Sequence, residues 1–514
     1  MEIKSKNRNE IKWGTIIGYV EIIVSTFVAF IYTPFMLKKM GQSEYGLYSL
    51  VASVVSYLSV LDMGFGNAMV RYISKSQGKK EKETENKLNS LFLIVYTIIG
   101  AITLFIGIIL YLNIERLFGN SLSFEELQKA NIIMMILIVT IAINFPLSIF
   151  SSYVTACEKF TFLKILTIIK DISIPIIMIP LLLSGYKSIA MTIVNNGFTV
   201  FVNIITLIYC FKKINMKFDF KIGDRERKLM REILGYSFFM FLNIIVDAIY
   251  NNTDQVILGS VCGTVAVSVY AVGNKIVQLN QRFSTTISGL FLPNITKTLQ
   301  EENGDKKVNE IFIKVSRIQI YIMMFILSAF YIIGKMFIYL WAGKEYIDAY
   351  YIVLIIITPA IIPLTQNVCL SIIQAKNKHQ FRSVMYIFIA ILNILISIPL
   401  AKKYNGIGAA IGTAVGNLLG QILTMNIFYY KAIHIDIPTY WKNFFKFALP
   451  VIIISIIGIA INHYFINIIS WKVLIIEGII YTIIYWSYVY IYMNRDEKEQ
   501  IKNIFNKIFK KINK

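Results

Sequence analysis

Residues 88–112 read LNSLFLIVYTIIGAITLFIGIILYL, twenty-five positions without one charged side chain. The seventeen residues just before them, RYISKSQGKKEKETENK at 71–87, carry nine charges. At ~1.5 Å per residue the uncharged run makes a helix of roughly 37 Å, long enough for a hydrocarbon core of about 30 Å. No soluble helix needs to be apolar on every face over such a length. The stretch therefore reads as a membrane span that emerges into a charged loop.

The same alternation governs the whole chain. Apolar segments fall near 13–37, 44–66, 88–112, 129–153, 162–184, 188–211, 235–258, 264–290, 311–333, 348–373, 383–400, 407–430, 447–466 and 472–493. The expected fold is an all-α polytopic membrane protein with about fourteen transmembrane helices. Composition agrees: 56% of the 514 residues are hydrophobic, 16% are charged, and mean hydropathy is +0.63. Soluble domains carry roughly 25% charged residues.

A net charge of +21 would suggest nucleic acid in a soluble protein. Here the 51 Lys and Arg are distributed by side of the membrane. With the N-terminal segment inside, about 38 fall in that tail, the alternate loops and the C-terminal tail, about 10 on the opposite side, and about 3 within spans. The positive-inside rule then puts both termini on the cytoplasmic side, and no nucleic-acid partner is expected. The hydrophilic opening MEIKSKNRNEIK leads into a long span without a small-residue cleavage site, so the first helix is expected to stay as an anchor. Cys157, Cys210, Cys262 and Cys369 are scattered, and His379, His434 and His463 lack metal-ligand spacing. No metal and no cofactor is expected.

The second half resembles the first at a shift near 220 residues. GQSEYGLYSLV, from Gly41, answers to GTVAVSVYAVG, from Gly263. TACEKFTFLK (155–164) answers to QAKNKHQFRS (374–383), Pro180 to Pro399, and GYKSIAMTIV (185–194) to NGIGAAIGTA (405–414). Duplicated repeats are a common transporter plan, with substrate bound near the bilayer midplane. The expected organisation is an N-terminal lobe at 1–211, a cytoplasmic linker at 212–234, a C-terminal lobe at 235–430, a helix pair at 431–493 and an amphipathic basic tail at 494–514. In EKEQIKNIFNKIFKKINK, Ile501, Ile504, Phe505, Ile508, Phe509 and Ile512 share one face, suited to an anionic membrane surface. Pro34 and the DMGFGN stretch at 62–67 mark helices expected to bend during transport.

TPFMLKKMGQSEYGLYSL (33–50) and LDMGFGNAMVRYISK (61–75) resemble the opening of the Wzx-like oligosaccharide flippase family. That family belongs to the multidrug/oligosaccharidyl-lipid/polysaccharide exporter superfamily, with lipid II flippases and multidrug extruders. The resemblance implies two six-helix lobes in a V around a central cavity, with a C-terminal helix pair added. It also implies a transporter, not an enzyme, that carries an undecaprenyl-linked oligosaccharide repeat unit outward by alternating access without ATP. Glycosyltransferases and a polymerase of the same pathway are implied partners. A lipid II flippase or a cation-coupled extruder is the alternative. A membrane polymerase or glycosyltransferase would call for a large external loop or a cytoplasmic catalytic domain, and neither is visible.

Charges within spans are the candidate site, because each costs ~2.5–3.5 kcal/mol at helix centre and must face water or a partner. Substrate candidates are Lys275, Arg282, Asp247, Lys170, Asp171 and Arg71; ion-coupling candidates are Glu21, Asp62 and Asp254. Asp247 and Lys275 each lie fourteen residues from Val261, hence at equal depth, ~21 Å from that turn. They form either an internal salt bridge or, with Arg282 two turns further on, a stripe for the substrate's phosphates. Glu21 and Asp62, 20 and 21 residues from Gly41, are expected to approach one another. They either reach cytoplasmic water or cap nearby basic groups such as Arg71, or, as close carboxylates, raise one another's affinity for protons, which would suit proton coupling. Lys170 and Asp171 point about 100° apart, so one of them should turn toward a neighbouring helix.

Overall fold

The computed structural model describes residues 2–499 except 222, 290, 377, 466 and 467. Side chains are not described for 1–12, 15, 224–227, 236, 238–240, 242, 243, 246, 247, 287, 292, 293, 379, 380, 383 and 465. Asp247 falls in this group, and most of the amphipathic tail lies beyond residue 499.

Every regular element among the described residues is helical. In the first half these are α1 (Glu2–Met40), α2 (Gln42–Ser56), α3 (Phe65–Gly78), α4 (Lys82–Leu112), the short α5 (Ile114–Phe118), α6 (Phe124–Ala156), α7 (Phe160–Leu183) and α8 (Ser188–Tyr209). Then follow α9 (Asp224–Val261), α10 (Thr264–Gly289), α11 (Leu292–Thr298), α12 (Gly304–Trp341), α13 (Asp348–Thr365), α14 (Val368–Ala375), α15 (His379–Gly416), α16 (Met425–Lys431), α17 (Ile437–Phe465) and α18 (Trp471–Tyr492).

Eleven described stretches are long and apolar enough to cross a membrane. One of them, Val384–Lys431, runs 48 residues and is folded back at Asn405, whose φ of 50° and ψ of −134° are not helical. It accounts for two passes. The 38-residue α9 and the 26-residue α10 are further long helices, and with them the arrangement is roughly consistent with the expected count of about fourteen passes.

Burial is inverted relative to a soluble protein. Ile475, Ile476, Ile479, Ile480, Ile483 and Ile484 on α18 are all exposed, while Ser284, Gln319, Asn417 and Ser397 are fully buried. Lipid solvates the aliphatic surface, and inward-facing amides and hydroxyls bond between helices. Examples are Ser284 Oγ donating to the Leu364 carbonyl at 2.6 Å, Gln319 Nε2 to the Ser284 carbonyl at 3.1 Å, and Gln366 Nε2 to Asn426 Oδ1 at 2.8 Å.

The duplication read from the sequence is written in the backbone. Positive φ recurs in pairs roughly 220 residues apart: Gly41 with Gly263, Lys80 with Asn303, Gly185 with Asn405, and Asn215 with His434. Each member of a pair sits at the corresponding turn of its half. L-residues rarely adopt this conformation, so four coincident pairs are strong support for a repeat.

The described residues divide into two compact units, 1–271 with 390–412, and 272–389 with 413–514. In the first, α1 and α7 run side by side in the same direction, since Gly14 lies against Phe160 and Thr161, and Gly18 against Lys164. Where α2 crosses the start of α10, Gly46 leaves no room for a side chain: a Cβ there would lie 1.8 Å from the Thr264 carbonyl oxygen. In the second, Arg317 on α12 holds Glu497, beyond α18, with Nε–Oε1 at 2.8 Å and Nη2–Oε2 at 3.1 Å. The Tyr321 hydroxyl and the Asn494 amide also donate to Glu497. Burial alone would raise the Glu497 carboxyl, but these donors and the Arg317 charge hold it below the usual carboxylate range.

Candidate functional site

The α1–α7 seam carries two of the expected charges. Glu21 lies one turn before Ser25 on α1, and Lys164 lies two turns before Asp171 on α7. Parallel packing brings them together in order. Lys164 Nζ meets Glu21 Oε2 at 2.9 Å, and the Ser25 hydroxyl donates to Asp171. Asp171 therefore turns toward a neighbouring helix, as its offset from Lys170 requires. Lys170 is half-buried and makes no ion pair or hydrogen bond among the described residues.

Of the two readings of Glu21 and Asp62, this pairing favours the one in which Glu21 caps a basic group, here Lys164 rather than Arg71. Glu21 and Asp62 do not form a carboxylate pair. Glu21 is taken by Lys164, and Asp62 accepts the Tyr96 hydroxyl at 2.9 Å and the Gly64 amide. Counting from the Gly41 turn gives depth but not lateral neighbours, and α1 leans on α7 rather than turning Glu21 toward Asp62.

Asp62 sits where a membrane-spanning stretch is interrupted. After α2 the chain tightens into a 3₁₀ turn over Tyr57–Asp62, and Met63 (φ 49°) and Gly64 (φ 73°) are left-handed before α3 begins. The DMGFGN segment thus interrupts the helix, with Gly64 taking one of the two left-handed positions. Tyr96, which holds Asp62, is fully buried and packs edge-on against Phe65 at 6.2 Å between ring centroids. Downstream of the break, Asn67, Arg71 and Lys75 recur every four residues on α3, Lys79 follows just past its end, and all are exposed. Interrupted helices inside the membrane are tolerated where they line protein or water, and they commonly frame transport sites.

A second basic face runs along α10. Lys275 and Arg282 are both exposed, seven residues apart on an unbroken helix, with Gln278 and Thr285 near the same face. Their partnership with Asp247 lies outside the described residues. Asp254 is buried at the end of α9 and accepts the Tyr270 hydroxyl from α10. Asp62 and Asp254 thus share an arrangement, a membrane carboxylate held by a tyrosine hydroxyl.

One cluster escaped the sequence reading. Glu126, in the first turn of α6, accepts from Ser43 at 2.6 Å and from Thr264 at 2.6 Å, so one carboxylate ties the starts of α2 and α10. Beside it Lys129 bridges Glu44 and Glu125, each at 2.7 Å, and Glu44 accepts from the Ser188 hydroxyl at the start of α8. The signal was available: Ser123 and Glu126 have capping-box spacing, and the box forms. Lys164, Tyr96 and Tyr270 were also missed, because nothing in a linear pattern says which helices are neighbours.

Among the described residues no group of His, Cys, Asp and Glu has the geometry to hold a metal ion. What the arrangement offers is charge and polarity inside the membrane: an interrupted span, exposed basic faces on α3 and α10, and carboxylates held by hydroxyls. These features, with the fold, define a multi-pass, all-helical membrane protein with charge and polarity along its spans.

The comparisons narrow the class. The family model described as "Polysaccharide biosynthesis protein" matches residues 12–299, and the chain belongs to that family. A Shigella flexneri protein named "Putative O-antigen transporter" is 20% identical over 412 residues, covering 78% of this chain and 93% of that protein. Among solved structures, "Lipid II flippase MurJ, inward closed conformation" aligns at a TM-score of 0.73 and 18% identity, covering 92% of this chain and 99% of the other. An inward-facing multidrug resistance MATE family transporter of the MOP superfamily aligns at 0.59 and 14% identity, covering 83% and 99%. At these identities the two structures speak to the fold alone.

Proposed function

We propose that this protein moves an undecaprenyl-linked oligosaccharide repeat unit from the cytoplasmic to the outer leaflet of a bacterial inner membrane, by alternating access, for cell-surface polysaccharide synthesis. The observation that carries the reading is the pair of exposed basic faces within transmembrane helices, Arg71 with Asn67 on α3 and Lys275 with Arg282 on α10. Against lipid a charge at helix centre would cost ~2.5–3.5 kcal/mol, so these faces meet water or a partner rather than acyl chains. Exposed basic faces in a polysaccharide-family transporter suit a lipid whose head is a sugar joined through phosphates. Arg282 offers a bidentate fork to phosphate oxygens and Lys275 a point charge.

Lys170, Asp171 and Asp247 are kept as lesser substrate-site candidates; the Ser25 bond gives Asp171 a holding role. Proton coupling is assigned to Asp62 first and Asp254 second. Among the described residues Asp62 is held only by neutral donors, whereas Glu21 is already balanced by Lys164. Both termini are read as cytoplasmic, and the glycosyltransferases and polymerase of the same pathway as functional partners.

The test replaces Lys275 and Arg282 together with glutamine in a producing strain. Loss of surface polymer at normal protein level is expected, with lipid-linked repeat units accumulating inside. Intact export would overturn the assignment. In vesicles, the purified protein should flip the lipid-linked oligosaccharide in preference to lipid II. The reverse preference would move the substrate to the cell-wall precursor.

A further inference from the structure

At the end of α3 remote from the Asp62 break, the chain builds a concavity of about 270 Å³ from α3, α4 and α9. Lys75 enters it from α3, Lys79 from just past the end of that helix, Thr84 from α4, and Lys228 from α9. None of the three lysines has an ion-pair or hydrogen-bond partner for its ammonium among the described residues, although Glu81 and Glu232 line the same walls. Three ammonium groups against two carboxylates leave the concavity cationic. The positive-inside rule accounts for lysines in this loop. It does not account for lysines from two separate segments converging on one hollow without partners.

The hollow is also rigidly framed. The Ser76 hydroxyl donates to the Glu81 carbonyl at 2.8 Å, and the Glu81 amide returns a bond to the Ser76 carbonyl at 3.1 Å. Lys80 turns the chain with a left-handed φ of 60°. Behind this turn Glu85 accepts from Gln77 at 3.0 Å and from the Tyr153 hydroxyl at 2.6 Å, fastening the start of α4 to α6. Leu88, Leu229 and Tyr72 give the hollow an apolar side, the combination expected at headgroup depth. From here Lys75 and Arg71 continue along one face of α3 in steps of ~6 Å toward the interrupted span.

We propose that this concavity is a phosphate-binding entry site, where the anionic phosphate-bearing head of a lipid docks before passing along α3. Lys75, Lys79 and Lys228 supply the charge and the Thr84 hydroxyl a neutral donor. The inference rests on the proposed flippase reading for its substrate, and adds to it a place of first contact distinct from the Lys275 and Arg282 face. The same chemistry would admit the pyrophosphate of the transported polyprenyl lipid or the phosphate of a bulk anionic phospholipid.

The experiment compares the full chain with a Lys75→Gln/Lys79→Gln/Lys228→Gln variant in detergent, measuring binding of undecaprenyl pyrophosphate, inorganic pyrophosphate and phosphatidylglycerol. A loss of about tenfold or more in undecaprenyl pyrophosphate affinity, at an unchanged melting temperature, is expected, because all three residues are exposed and have no ammonium partner among the described residues. Arginine in place of lysine at the three positions should keep binding. Loss confined to the polyprenyl and inorganic pyrophosphates identifies the transported lipid as the occupant. An equal loss for phosphatidylglycerol identifies the site as one for membrane phosphates in general. Unchanged binding of all three probes overturns the site while leaving the flippase reading intact. Failure of the unaltered chain to bind any of them overturns both.

Discussion

Replacing Gly46 with alanine adds one carbon where α2 crosses the start of α10. That carbon would stand 1.8 Å from the Thr264 carbonyl oxygen and 2.6 Å from its carbon, with the Ser268 Cβ at 3.2 Å. Ordinary carbon–oxygen contacts are about 3.3–3.6 Å, so one backbone has to retreat by about 1.5 Å. No side-chain rotation relieves the clash, because the obstructing atoms are main chain. Overpacking of this kind costs about 1–3 kcal/mol. Alanine also returns about 0.5–1 kcal/mol relative to glycine inside a helix. Gly197 in α8 separates the two effects, since a Cβ there meets nothing within 4 Å. Gly197→Ala should gain the propensity alone, and the difference between the variants isolates the clash at about 1–3 kcal/mol. The assay is thermal unfolding of the purified protein with a thiol-reactive dye, because Cys210 and Cys369 are fully buried, one in each compact unit. Gly46→Ala should melt several degrees below Gly197→Ala. Equal melting temperatures, or a more stable Gly46→Ala, would refute the close crossing of the two helices.

Glu497→Gln should lower the melting temperature at pH 7, because a charge-neutral amide gives up the ion pair with Arg317; truncating a partner of a buried pair costs about 3–5 kcal/mol, and the isosteric amide should cost less. Since the Glu497 carboxyl is held below its usual range in the folded protein, its contribution is full above that range and fades as pH falls through the lowered value. The melting curves of wild type and variant should therefore converge only at acid pH, and convergence near neutrality would count against the pair. A double-mutant cycle on Glu21 and Lys164 should return a coupling of about 0.2–1 kcal/mol, as for other partly exposed pairs; zero coupling would remove the seam from the account. Asp62→Asn should abolish pH-driven uptake in proteoliposomes while sparing substrate binding, since asparagine still accepts the Tyr96 hydroxyl, and unchanged pH-driven uptake would shift coupling to Asp254.

The passes were legible because a bilayer demands long apolar runs whatever their neighbours, and 88–112 meets that demand on its own. Even α9 and α10 showed as spans, although Asp254, Lys275 and Arg282 dilute them. The turns were legible in pairs, as Gly41 with Gly263 and Gly185 with Asn405. Lateral partnership was not. Equal distance from a turn placed Glu21 and Asp62 at one depth, yet the chain gave Glu21 to Lys164 from a span four passes later. The offset between Lys170 and Asp171 succeeded because it concerns one helix alone. Glu126 was passed over since a first-turn glutamate usually does no more than cap its own helix, and its hold on Ser43 and Thr264 is a tertiary fact.

The outward isoleucines of α18 and the inward amides around Ser284 have a practical corollary. Folding here is a contract with a particular solvent. Moved into water, the same side chains would favour turning the aliphatic rows inward and the amides outward, and nothing in the connectivity would restrain that eversion. Extraction conditions are therefore part of the fold's definition: an amphiphile that leaves the α18 rows bare is expected to produce association through that surface before any helix melts.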